Sequence, residues 1–293
     1  MKVGISMIYN RVDESTPDPG AFALECEKLG LESVWVGDHM LFPGEPKSAF
    51  PGGGPIPEHY AHFPEPFVVL AMCAATTKKL RIGTAVLLVP EHDAIATAKR
   101  IATLDRMSNG RFLFGVGAGW LREAAEVLGS DFPHRWTQTA EYVAAMRELW
   151  SKQVASFEGK YVKFQSLRCN PKPAQQPGPP VLIGSLDKNA LKWVARWGDG
   201  YIPVCFSTKQ AVPFVKEKLT ALKEECAKVG RNFGSLDISL LISLNGERAQ
   251  VQELLHQLEE LGVQRIVEVS VAEPLFVGDY RAKLDRLGSL ALA

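Results

Sequence analysis

Short apolar runs without alternation recur along the chain, and most are followed by a longer stretch in which apolar residues return every three or four positions. Eight of the runs read as strands: KVGISMI from Lys2, SVWVGD from Ser33, LRIGTAVLL from Leu80, RFLFGVG from Arg111, PVLIG from Pro180, GYIPV from Gly200, LDISLLIS from Leu236 and QRIVEVS from Gln264. Between them, PGAFALECEKLG, PFVVLAMCAATTK, AIATAKRIATLDRMSNG, WTQTAEYVAAMRELW, NALKWVARWG, VPFVKEKLTALKEECAKVG and VQELLHQLEELG carry helical spacing, and several close on the glycine that commonly ends a helix. Strands that are apolar on successive residues are buried on both faces, as in a parallel sheet wrapped by helices. Eight such units in 293 residues predict an α/β fold, a (β/α)8 TIM barrel forming one domain over 1–293. An open doubly wound sheet is the structural alternative.

Two long interruptions break the rhythm. Leu41 to Pro66 carries PGGGPIP, and Ser151 to Pro180 holds FEGKYVKF and a proline-rich stretch. Loops of this length without helical spacing are expected to act as lids or mobile segments.

In such a barrel the active site lies at the C-terminal ends of the strands. The second strand is apolar through Val36 and then breaks into Gly37, Asp38 and His39. A strand buried on both faces turns polar where it reaches that rim. His39 titrates near neutrality and can pass a proton; its plainer reading is a ring stacked under a loop. Asp38 can accept a hydrogen bond from a ligand hydroxyl, orient His39, or cap the following loop. His59 and His62, in EHYAH, read as solvated loop residues because no third metal ligand is clustered with them, and His92, His134 and His256 as surface or helix residues.

RFLFGVGAGW sets Gly115, Gly117 and Gly119 at a strand end before the helix-like LREAAEVLG. Glycines there let a ligand approach the backbone and leave amides for a phosphate or a ring carbonyl. Trp120 and Leu121 stand where a dinucleotide fingerprint needs its third glycine, and neither a P-loop nor a GxSxG elbow is present. Gly184 and Ser185, in VLIGSLDKNAL, form a second junction of this kind with Lys188 close by; an ordinary turn has the same residues.

Composition narrows the partners. Apolar residues are 46% and charged residues 23%, the balance of a soluble globular protein. Lys plus Arg and Asp plus Glu are 33 each, with no run of like charge, so neither nucleic acid nor a membrane surface is an expected partner. The 5 cysteines are scattered without a CxxC pair, which fits a reducing cytoplasm and neither a disulfide framework nor a zinc site. The start MKVGISMIYN lacks a signal peptide's apolar region, and no run of about 18 apolar residues occurs.

LGLESVWVGDH, LRIGTAVLL, AIATAKRIATLDRMSNGRFLFGVGAGW, RWTQTAEYVAAMRELW, FEGKYVKF, and PVLIG ahead of ARWGDGYIP together resemble the bacterial luciferase-like family of flavin and deazaflavin oxidoreductases, over nearly the whole chain. The passage LDRMSNGRFLFGVGAGW is the most specific. The chain is most similar to the branch that uses coenzyme F420, with FMN as the alternative cofactor. The resemblance implies hydride transfer between F420 and a small organic substrate, an FMN-dependent monooxygenase as the close variant, and a homodimer. It places His39 by the reactive ring carbon and Asp38 against the cofactor. It gives the third strand a terminal bulge whose non-proline cis peptide, Ala85–Val86, backs the ring with Leu88. Gly117, Ala118, Gly119 and Trp120 would pass the ring and side chain, while Gly184, Ser185 and Leu186 would hold the phosphate. There GSLDK departs from the family's second glycine and leaves Lys188 to share the grip. Trp120 replaces the glutamate of sugar-oxidising members, implying a more apolar substrate pocket. Outside the family, the rival readings are a cofactor-free barrel lyase or isomerase acting on a phosphorylated metabolite, and a non-catalytic flavin-binding protein.

Overall fold

The computed structural model describes residues 1–7, 16–269 and 280–291. Its strands are β1 (Lys2–Ser6), β2 (Ser33–Val36), β3 (Arg81–Thr84, resuming at Leu87–Leu88), β4 (Phe112–Gly117), β5 (Val181–Ile183), β6 (Gly200–Tyr201, resuming at Val204–Cys205), β7 (Asp237–Ile242) and β8 (Arg265–Glu268). Each pairs in parallel with the next, and β8 pairs with β1, so the sheet closes into the barrel. All eight strand runs fall on these segments. Ile8 and Ser270, at the ends of two of the runs, lie outside the described residues.

The surrounding helices are α1 (Pro19–Lys28), α2 (Pro66–Thr76), α3 (Ala94–Met107), α4 (Arg122–Val127), α5 (Arg135–Ser151), α6 (Leu191–Trp197), α7 (Ala211–Lys228), α8 (Arg248–Glu260) and α9 (Tyr280–Ala291). Local chemistry starts several of them: Asp18 accepts from the Ala21 amide at 2.7 Å, Asp93 from the Ala96 amide at 2.7 Å, and Glu247 with Gln250 closes a capping box. Helix α9 escaped the sequence reading, although Leu284, Leu287 and Leu290 repeat at helical spacing and are buried. Among the described residues no helix is long and apolar enough to cross a membrane.

The absence of alternation in the strands has a direct cause. One apolar layer, with Val34, Val36, Ile82, Phe112, Phe114 and Val181, packs between sheet and helices. A second, with Trp35, Leu113, Leu182, Ile202, Leu241 and Val267, fills the barrel interior. Trp35 occupies that interior because its neighbours are glycines: a Cβ on Gly83 would come within 2.5 Å of the indole, and one on Gly4 within 3.1 Å of Nε1. At the N-terminal face Arg265 is fully buried and bonds Glu32, Asp237 and Ser239, tying β2, β7 and β8 together.

The second interruption does not serve as a lid. Residues 155–167 form an antiparallel hairpin (Ala155–Glu158 with Lys163–Leu167), and the Glu141 carboxylate on α5 accepts the Lys160, Tyr161 and Val162 amides of its turn. Beyond it, Gln175 bonds Asp105 and Lys172 bonds the Leu149 carbonyl. These contacts fasten the segment to the outer helices, and none of its residues lines the cavity at the barrel mouth.

Candidate active site

The mouth is shaped by an irregularity at the end of β3. Gly83 pairs with Leu113, and Leu87 with Val116, so β3 takes four steps where β4 takes three. The extra residue makes a bulge, and within it the Ala85–Val86 peptide is cis. The bulge presses Val86 across two loops: a Cβ on Gly117 would lie 2.6 Å from Val86 Cγ2, and one on Gly184 2.6 Å from Val86 Cγ1. A Cβ on Gly115 would lie 1.9 Å from the Thr84 carbonyl oxygen. The glycines expected to make way for a ligand therefore make way first for β3.

Asp38, His39, Ala85, Val86, Leu88, Gly117, Ala118, Gly119, Trp120, Gly184, Ser185 and Leu186 all line one cavity of about 350 Å³ at the C-terminal ends of the strands. That volume lies within the usual range of small-molecule sites. Lys188 begins a short 3-10 turn beside it, and its side chain is outside what is described.

The first interruption roofs this cavity with Phe50, Pro51, Tyr60 and Phe63. It is anchored by Glu123 of α4, which accepts from the Ser48 amide at 2.9 Å, the Ser48 hydroxyl at 2.5 Å and the Lys47 amide. These bonds, the Ser48 hydroxyl foremost, lower the Glu123 pKa to about 2. His39 meets Tyr60, Phe63 and Trp120 edge-on at centroid distances of 5.3, 5.5 and 5.8 Å, while Phe50 meets Tyr60, Trp120 and Phe206 at 5.3, 5.8 and 6.0 Å. Neither His39 ring nitrogen has a hydrogen-bond partner among the described residues. Desolvation by these rings lowers its pKa to about 4 against the opposing charge of Asp38. The imidazole is therefore neutral at pH 7.

Asp38 is buried, and its carboxylate does not orient His39. Oδ2 accepts from the Leu88 amide at 2.9 Å and lies 2.7 Å from His92 Nε2, while Oδ1 has no partner among the described residues. His92 is thus a buried partner of Asp38 and not a surface residue, and His59 is likewise buried, its ring 4.9 Å from Tyr60. The sequence held a signal for His92: it follows the end of β3 by four residues, on the same rim that drew attention to His39.

Arg135 also lines the cavity, with Ser185, Leu186 and Asp187. Its Nε donates to the Gly119 carbonyl and its Nη1 to the Phe132 carbonyl, each at 3.0 Å, and the guanidinium lies 4.3 Å over the Phe132 ring. It opens α5, some way past the β4 rim, so no strand-end rule points to it.

Glu91 sits behind Gly119, buried, with Oε1 unpaired among the described residues. Burial, and then the charge of Asp38, raise its pKa from 4.5 to about 8. Between those values the native state holds a proton that the unfolded chain has lost, so this group's contribution to stability falls as pH rises. The lowered pKa values of His39 and His59 give the opposite slope, which fades above 6.5 as the unfolded histidines lose their protons, so the comparison with Glu91→Gln isolates the carboxyl. Between pH 6.5 and 8 the wild type is expected to lose about 2 kcal/mol that Glu91→Gln retains, read by urea unfolding across that range. A constant difference between the two proteins would mean that Glu91 is already ionised at neutral pH.

The family model of luciferase-like monooxygenases matches residues 7–288. The uncharacterized protein Rv0953c of Mycobacterium tuberculosis is 35% identical over 254 residues, 85% of this chain and 86% of that one. The F420-dependent glucose-6-phosphate dehydrogenase of Kineococcus radiotolerans is 31% identical over 238 residues, 80% of this chain and 65% of the dehydrogenase. Among solved structures, an F420-dependent secondary alcohol dehydrogenase in complex with an F420-acetone adduct matches with a TM-score of 0.76 and 17% identity, covering 100% of this chain and 99% of that one. At that identity the likeness is one of fold.

Proposed function

We propose a function from one premise: the chain belongs to the luciferase-like monooxygenase family. Within that family we read it as an F420-dependent oxidoreductase that moves a hydride between the deazaflavin and a small apolar organic substrate. The observation that carries the reading is Oδ1 of Asp38, a buried carboxylate oxygen of the cavity lining that has no partner among the described residues. Such an oxygen is costly to leave without a donor, and an N–H or O–H group of a bound deazaflavin answers it. The surrounding wall also fits a planar ring: Ala85, Val86, Leu88, Ile202, Leu241 and Val269 are apolar, and Gly117 to Gly119 present backbone.

When bound, F420 supplies the two-electron hydride chemistry. The remaining work falls to the chain. Asp38, fixed by the Leu88 amide and His92, holds the ligand's polar edge. The roof of Phe50, Tyr60 and Phe63 keeps water from the reacting atoms. Oxidation of an alcohol releases one proton beside the hydride, and neutral His39 accepts it at a free ring nitrogen; reduction of a ketone returns it. Among the described residues the rings of Tyr60, Phe63 and Trp120 pack on His39, and such an aromatic surround suits an apolar substrate better than a sugar phosphate.

The test is a pair of titrations with oxidised F420 and with FMN, following fluorescence of the 6 tryptophans, of which Trp120 and Trp136 line the cavity. Saturable quenching by F420, followed by loss of the deazaflavin's visible absorbance with an apolar alcohol and no oxygen uptake, is the expected result. Binding of FMN alone with oxygen uptake would replace this reading by a monooxygenase. Binding of neither would return the site to cofactor-free chemistry.

A further inference from the structure

Two carboxyl groups share one wall of the cavity, Asp38 on its lining and Glu91 one layer behind, against Gly119. Both residues are 4% exposed, and neither Asp38 Oδ1 nor Glu91 Oε1 has a hydrogen-bond partner among the described residues. Glu91 ends a short 3-10 turn, Val89–Glu91, and the next residue, His92, lies 2.7 Å from the other oxygen of Asp38. Backbone closes the group: Gly119 takes φ +82°, a Cβ on it would come within 2.6 Å of Glu91 Oε1, and Arg135 Nε holds its carbonyl at 3.0 Å.

A carboxylate buried with an oxygen unmatched is costly, and a second beside it costs more, so the pair holds a single charge. Asp38 is the member that keeps it, because the Leu88 amide and His92 meet its Oδ2. The ionisable side chains on the surrounding elements are Asp38 and His39 after β2, His92 and Asp93 beside Glu91 itself, and Arg135 on α5, which packs against the Val89–Glu91 turn. Of these, Asp38 is the one whose charge bears on Glu91, and with burial it leaves Glu91 protonated at neutral pH.

From this arrangement we infer that Glu91 is a positioning residue for the cofactor: as the neutral acid it lets Asp38 stay ionised, with Oδ1 open to accept from the bound ligand. The inference rests on the deazaflavin reading, in which that oxygen takes the cofactor's N–H or O–H donor. Loss of the Glu91 proton sets two like charges on one buried wall, and the repulsion is relieved when the Gly119 loop moves or a proton returns. Binding, which needs both Asp38 ionised and the loop in place, therefore takes up a proton in alkali.

Dissociation constants for F420 and for FMN, read by tryptophan quenching from pH 6 to 9.5, test this in the wild type and in Glu91→Gln, which stays neutral throughout. Between pH 7 and pH 9 the wild type is expected to weaken about tenfold relative to the variant, the linkage of one group with a pKa of about 8. Calorimetry of the wild type in two buffers of different ionisation enthalpy gives a reading that needs no variant: about one proton taken up per ligand at pH 9 and almost none at pH 7. A constant ratio of the two dissociation constants across this range, or no proton uptake at pH 9, would leave Glu91 a packing role and overturn the inference. If F420 binds with a constant ratio, the deazaflavin reading stands without it. If FMN alone binds and the ratio grows with pH, the deazaflavin reading falls and Glu91 keeps its role. If neither ligand binds, both fall.

Discussion

Replacing His39 with alanine is expected to lower turnover by about 10²- to 10⁴-fold while cofactor affinity stays within about threefold, because proton transfer is lost and ligand binding is not. The geometry separates the two roles. His39 touches Tyr60, Phe63 and Trp120 through ring edges and makes no hydrogen bond among the described residues, so its removal leaves the Asp38–His92–Leu88 arrangement intact. The pH dependence gives a second signature. A histidine acting as base must be neutral, and burial has lowered its pKa to about 4. In the direction of substrate oxidation, kcat/KM should therefore hold steady as pH falls through 6.5, where an exposed histidine would titrate, and drop only as it nears 4. Steady-state kinetics with parallel tryptophan quenching would measure both. A variant that binds cofactor normally and still turns over at the wild-type rate would take His39 out of the mechanism.

The barrel was legible because its strands are unusual. Residues such as Val34, Trp35 and Val36 are buried on alternate sides of one sheet, and that leaves an unbroken apolar run which ends where polarity becomes useful, at Asp38 and His39. What lies across the rim was not legible. Asp38 and His92 are far apart in sequence, and they meet because β2 and β3 pair side by side, which no local pattern states. The roof residues Phe50, Tyr60 and Phe63 sit in a glycine- and proline-rich loop with no period to read. The bulge and the cis peptide were expectations of the resemblance; no hydrophobic pattern marks them. Gly117 and Gly184 have a packing role that the sequence does not show, since Val86 fills the space beside them. That Ser151 to Pro180 is fastened to the outer helices, and is not a lid, has no local signal, because the Glu141 carboxylate and the three backbone amides it holds are joined by no local pattern.

At the opposite end of the barrel, Arg265→Met is expected to destabilise the protein by about 3–5 kcal/mol at neutral pH, the usual cost of removing one partner from a buried ionic network. Arg265 is fully buried; Nε and Nη2 meet Glu32 at 2.9 and 3.0 Å, and Nη1 meets Asp237 at 3.0 Å and Ser239 at 2.8 Å. Methionine can fill much of the volume but leaves two carboxylates facing each other without a cation. Burial alone would raise the Glu32 pKa, yet the hydrogen bonds and charge of Arg265 lower it below 4.5. A carboxyl with a depressed native pKa stabilises above its unfolded value and loses that contribution as pH falls through its native one. The gap between wild type and variant should thus be widest above pH 5 and narrow in acid, which urea unfolding at pH 7 and pH 4 would measure. Adding Glu32→Gln should recover part of the loss, because it removes one of the stranded charges. A gap below about 1 kcal/mol at pH 7 would mean that the network contributes no more than an exposed ion pair. Since the network lies at the N-terminal ends of β7 and β8, turnover per folded molecule should not change, and a fall in kcat without unfolding would tie this end of the barrel to the chemistry at the other.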